Sequence, residues 1–141
     1  MILSKLYNWY LSLKKQDNET IYLFKSGIFF IALDEDAYNL SKIFNFKLGK
    51  LNDTIVKCGF PCSSFNKYSN LFKLHNLKTK FIEKDNTIYD IKEYEQNKDI
   101  SELLKMIESI DVENLSVVQA YKSIENLKNK VEIIKNTDNI I

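Results

Sequence analysis

Apolar residues fall at helical and extended periods along most of the chain. Leu3, Leu6, Tyr7, Tyr10, Leu11 and Leu13 recur at helical spacing, and Lys14, Lys15 and Gln16 follow, so residues 2–15 predict an amphipathic helix. Asp17-Asn18-Glu19 breaks it. Residues 20–25 are rich in β-formers, Ser26-Gly27 signals a turn, and residues 28–33 are a continuous apolar run that suits a buried strand. Residues 21–33 therefore read as a hairpin or a bulged strand pivoting at Gly27. Asp34-Glu35-Asp36 places acids where a helix amino terminus favours them, and Ala37, Leu40, Ile43 and Phe44 continue a helix over residues 34–45.

Two short strands are expected next, over residues 46–48 and 54–58, with Gly59-Phe60-Pro61 ending the second. Ser63 or Ser64 can cap a third helix, whose apolar side would carry Phe65, Tyr68, Leu71, Phe72 and Leu74. His75-Asn76 ends it. Residues 79–82 and 87–91 suggest a hairpin turning at Asp85-Asn86. Residues 94–99 are polar and read as a linker, and residues 100–110 and 115–135 as helices. The fold class expected is α/β (α+β): a mixed β-sheet flanked by helices over residues 1–93, then a linker and helical segment over 94–141.

Composition narrows the function. A chain of 141 residues, 45% hydrophobic and 28% charged, has the balance of a soluble globular domain. The net charge is +1, so no overall basic field announces nucleic acid. All 20 basic residues are Lys. Lys meets a phosphate as a point charge and lacks the planar fork of Arg. The chain has no apolar run of transmembrane length and no signal-peptide pattern, so a cytoplasmic location is expected, without membrane contact. Cys58 and Cys62 suit reduced thiols.

Catalytic chemistry finds little support. Cys58 and Cys62 supply two possible metal ligands, and His75 is the only His, so neither a metal site nor a catalytic triad is expected. There is no Gly-x-x-x-x-Gly-Lys-Ser/Thr element for ATP. The three acids at 34–36 suit a helix dipole better than a nuclease centre. The chain is therefore expected to act without catalysis or a cofactor. Lys47, Lys50, Lys57, Lys67, Lys73, Lys78, Lys80 and Lys84 interleave with Phe60, Phe65, Tyr68 and Phe72. That mixture suits nucleic acid, and equally a solvated surface over an aromatic core.

The stretch Leu23-Phe24-Lys25-Ser26-Gly27-Ile28-Phe29-Phe30 resembles the start of the mismatch-recognition domain (domain I) of the DNA repair protein MutS. That family shows an apolar strand, a basic residue, Gly, one residue, then Phe-aromatic-Glu. Asp34-Glu35-Asp36-Ala37 is similar to its acidic-Ala helix start, and Gly59-Phe60-Pro61 with Ser63-Ser64 to its Ala-Gly-apolar-Pro-Tyr-His stretch. The resemblance covers residues 1–92 and implies a DNA-binding module related to DNA repair and DNA damage. In the family, the Phe of Phe-x-Glu stacks on a mispaired base from the minor groove and the Glu hydrogen-bonds it. By position the Phe falls on Phe29 and the Glu on Ile31, so the resemblance implies a wedge without its polar reader. It also makes Gly27 and Lys25 site residues; among the lysines, Lys57 and Lys67 are candidate phosphate contacts. Phe29 sits in the apolar run, so core and wedge are both open readings.

Residues 110–120 are similar to the short helical tail of the MutS ATPase domain, which lies at the subunit contact. Independently, Val117, Ala120, Ile124, Leu127, Val131 and Ile134 form a seam at spacings of three and four. It would pack on its own domain or form a dimer contact through Val117, Ile124, Leu127 and Val131. The partners expected are thus DNA, or a protein or second copy. The alternative function is a protein-interaction module that has lost mismatch reading.

Overall fold

A computed structural model describes the backbone of residues 2–138 and the side chains of residues 5–136. The side chain of Leu3 lies outside the described residues. The chain divides into two compact units, at Ile91 and Lys92.

The first unit is a six-stranded sheet covered by helices on both faces. Helix α1 (Ile2–Gln16) leads into β1 (Ile21–Ser26), β2 (Phe29–Leu33) and α2 (Asp34–Phe44). Then come β3 (Gly49–Lys50), β4 (Val56–Pro61), α3 (Phe65–Leu74), β5 (Thr79–Ile82) and β6 (Ile88–Tyr89). The strand order is β3-β4-β2-β1-β5-β6. Only β1 and β5 run parallel; the other neighbours are antiparallel. The mixed sheet flanked by helices that the alternation of elements implies is the fold observed.

Side-chain alternation divides the core between the two sheet faces. On one face Tyr22, Phe24, Ile31, Leu33 and Ile82 pack with Tyr10 and Leu13 of α1. On the other, Phe30 sits among Phe60, Phe65 and Phe81 at ring separations of 5.1–6.2 Å. Phe60 and Phe72 continue that layer toward Phe44 of α2. A buried ion pair joins three elements: Lys14 Nζ of α1 donates to Asp36 Oδ1 of α2 at 2.8 Å, while Tyr22 N of β1 donates to Asp36 Oδ2 at 3.0 Å. Burial pushes the Asp36 carboxyl up from its ordinary range, against the pull of Lys14.

Several local expectations are corrected. Residues 46–48 form no strand, because β3 begins at Gly49. Phe46 instead lays its ring against Phe44, Phe60 and Tyr68. Strand β4 runs through Gly59 and Phe60 to Pro61 rather than ending before them. Ser64 stands at the start of α3 but makes no side-chain cap; a 3-10 turn over Cys62–Ser64 feeds the helix. Leu74 faces solvent rather than the apolar side of α3.

The second unit holds α4 (Ile91–Glu108) and α5 (Val117–Asp138). Residues 94–99 are helical, not a linker. They are polar but contain no Gly or Pro, and Glu, Gln and Lys are good helix formers. Lys130 of α5 pairs with Glu102 at 2.7 Å and Asp99 at 3.5 Å, both on α4. The six-residue seam is divided: Ala120, Leu127, Val131 and Ile134 are half-buried, whereas Val117 and Ile124 are exposed. Among the described residues no helix is long and apolar enough to cross a membrane.

Candidate nucleic-acid interface

The β1–β2 hairpin closes on Ser26 opposite Phe29, leaving Gly27 and Ile28 as a two-residue turn. Gly27 has φ +60, and a Cβ there would meet nothing within 4 Å. The left-handed backbone, not crowding, is therefore what calls for glycine. The turn is anchored from the residue after β4: Cys62 N donates to Ile28 O at 2.7 Å. Phe29 opens β2 opposite Pro61.

The tip is apolar and open. Ile28 is 74% exposed and Phe29 43%. Phe29 is thus not a core residue. Ile31 lies two residues on, so it shares a sheet face with Phe29. It is only 8% exposed, packed in the layer beneath α1. One face of β2 therefore carries an exposed ring at its rim and a sunken aliphatic where the family motif has Glu.

Charge around the tip is mixed. Lys25 Nζ lies 3.4 Å from Glu83 Oε2. Burial raises the Cys62 thiol, and Lys84 follows Glu83 in the chain. Lys84 is exposed. The other two expected phosphate contacts sit on β4 and α3. Lys57 pairs with Leu33 and Gly49, four residues along β4 from Pro61, or about 13 Å from the position opposite Phe29. Lys67 is on α3, its ammonium 5.3 Å from the Tyr68 ring centroid. The hairpin thus brings Lys25, Gly27 and Phe29 together, buries Ile31 nearby, and leaves Lys57 apart.

Ile28 and Lys84 are the residues that a reading of the motif passed over. Ile28 carried a signal, since an aliphatic residue beside a turn glycine has little chance of burial. Lys84 carried none, because its place beside the tip depends on the parallel β1–β5 pairing.

The remaining chemistry is sparse. No group of three or more His, Cys, Asp or Glu converges to hold a metal among the described residues. Cys58 is buried, and its thiol is pushed up to about 12, chiefly by burial. His75 stacks edgewise on Phe44 at 4.9 Å.

Comparison with known proteins matches the MutS domain I family model over residues 4–108. The DNA mismatch repair protein MutS of Thermotoga neapolitana is 37% identical over 68 residues, which is 48% of this chain and 8% of that protein. The chain therefore matches only a small part of the length of that relative.

Proposed function

The chain belongs to the MutS domain I family, and on that basis we propose that it is a DNA-binding module, related to mismatch repair, that acts without catalysis of its own. The observation that carries this reading is the exposed Phe29 ring at the tip of a pinned hairpin, at the position of the family's stacking Phe. An apolar wedge inserted between base steps from the minor groove needs a rigid strand end and an uncovered ring. Lys25 and Lys84 would meet the flanking phosphates as point charges. Ile31 offers no hydrogen bond to a base, so the module stacks on distorted or easily unstacked steps without reading the base edge.

Binding to homoduplex, mismatched and single-stranded DNA across a salt series tests this. Two phosphate contacts give a slope of log affinity on log salt of roughly −2. A flat response sinks the reading. It would favour the second one, a protein-contact module, which draws support from the pairing of Lys25 with Glu83 and the distance of Lys57 from the tip.

A further inference from the structure

Eight of the 20 lysines fall within residues 37–82, which hold a single acid, Asp53. The rest of the chain is correspondingly acidic, and the net charge of +1 hides the division. The hairpin tip uses none of this stretch. Phe60, Phe65 and Phe72 within it are buried and belong to the core. Four further rings reach the surface together: Phe44, Phe46 and Tyr68 are half-buried, and His75 is exposed.

These four rings form one continuous cluster over Phe72. Tyr68 and Phe72 of α3 and His75 at its carboxyl end share one side of that helix, at spacings of four and three. Phe46 meets Tyr68 at 5.0 Å and Phe44 at 6.0 Å, and Phe44 meets Phe72 at 5.6 Å and His75 at 4.9 Å. From Tyr68 to His75 the helix rises about 10 Å. That is the length of about three nucleotides of one strand. Lysines accompany the rings. Lys47 follows Phe46, Lys73 follows Phe72, and Lys67 holds its ammonium 5.3 Å from the Tyr68 ring centroid. All three are exposed, and neither α3 nor residues 37–52 contain an acid. The cluster also lies on the opposite sheet face from Phe29. Tyr68 packs on Phe60, whose strand partner Phe30 alternates with Phe29 along β2.

We propose that this cluster is a second nucleic-acid contact, one that takes unpaired bases. Paired bases in a duplex are already stacked on their neighbours, so only a single strand offers base faces to surface rings. Rings that stack and lysines that track the backbone are the two components of sequence-tolerant single-strand binding. Point charges suffice for that task, so the lack of Arg is no obstacle. Positive charge without a nearby acid in the chain favours a phosphate backbone here over the tip, where Lys25 pairs with Glu83. The contact needs neither Phe29 nor insertion into a duplex.

Fluorescence anisotropy of a labelled thymidine decamer, titrated with the full chain, tests the proposal. The wild-type chain should bind it, and Phe29→Ala should bind it equally well, so failure of the tip and failure of the cluster are read separately. His75→Ala and Phe46→Leu should each weaken binding about tenfold, as the loss of one stacked base does. Both should keep the wild-type melt, because His75 is exposed and Leu preserves the apolar packing of Phe46. Lys67→Gln should flatten the slope of log affinity on log salt by about 0.7, one phosphate contact on a single strand. If Phe46→Leu fails to fold, His75→Ala and Lys67→Gln still decide. A wild-type chain that does not bind the decamer overturns the proposal and leaves the cluster to a protein partner. Binding that Phe29→Ala abolishes, or that His75→Ala and Lys67→Gln leave unchanged, overturns it as well.

Discussion

Phe29 and Ile31 lie two residues apart on one strand face, yet substitutions there should have opposite consequences. Phe29 is half exposed at the rim, so Phe29→Ala should leave the melt nearly unchanged while weakening DNA binding by roughly 1–3 kcal/mol, the worth of one stacked base. A titration paired with a thermal melt separates the two effects; an unchanged affinity removes Phe29 from the interface. Ile31→Glu would place a carboxylate in the layer with Tyr22, Phe24 and Leu33, so it should destabilise the fold by several kcal/mol before it can restore any reading of a base. A melting temperature equal to wild type would show that the side chain escapes burial. Asp17 sets a pH dependence of defined sign. The Thr20 hydroxyl, then Lys78, holds its carboxyl below the ordinary carboxylate range. A pKa lowered by folding contributes stability above the unfolded value, near pH 4, and that contribution is lost as the pH falls. The melting-temperature difference between wild type and Asp17→Asn should therefore be largest at neutral pH and shrink steadily as the pH falls below about 4. A difference constant with pH would contradict the assignment.

Elements are legible in the sequence where one physical signal dominates. Apolar periodicity marks α1 and α2, and the turn glycine marks the β1–β2 hairpin. The sequence misleads where a residue's local preference yields to a distant partner. Phe46 has strand propensity, but its ring serves the layer formed with Phe60 and Tyr68, whose positions no local window contains. Residues 94–99 show the converse: a polar face resembles a linker in composition, yet nothing in it interrupts a helix. The candidate site was legible to the same extent. Gly27 and Phe29 are neighbours in the chain, whereas the distance of Lys57 from the tip needed the register of β4. Two glycines give a test at this scale. A Cβ on Gly27 meets open space, so Gly27→Ala should cost only about 1–2 kcal/mol for the left-handed backbone. A Cβ on Gly59 would collide with Phe30 O, so Gly59→Ala must displace the β2–β4 ladder and should cost more. Denaturant melts of the two variants would refute this if Gly27→Ala were the more damaging.

At the scale of the whole molecule, buried surface is divided unevenly between the two units. The first contains both layers of the core, while the second is a helix pair whose inward residues are at most half covered, apart from Tyr94. The MutS domain I match extends to residue 108, the last residue of α4, and does not reach α5. Core placement and the extent of the family match motivate a truncation test. A chain ending at Ser109 should therefore keep a cooperative melt and keep whatever DNA affinity the hairpin tip provides. The isolated segment of residues 92–141 should behave differently. Lone helices of such length are marginal in water, and most helical stability comes from packing an apolar face. Its helicity should therefore rise with concentration, as association covers exposed apolar residues such as Leu104 and Ile124. Circular dichroism over a dilution series distinguishes the cases. Full helicity at low micromolar concentration would mean that the pair is stable alone. Loss of the cooperative melt in the chain ending at Ser109 would mean that α5 contributes to the core of the first unit.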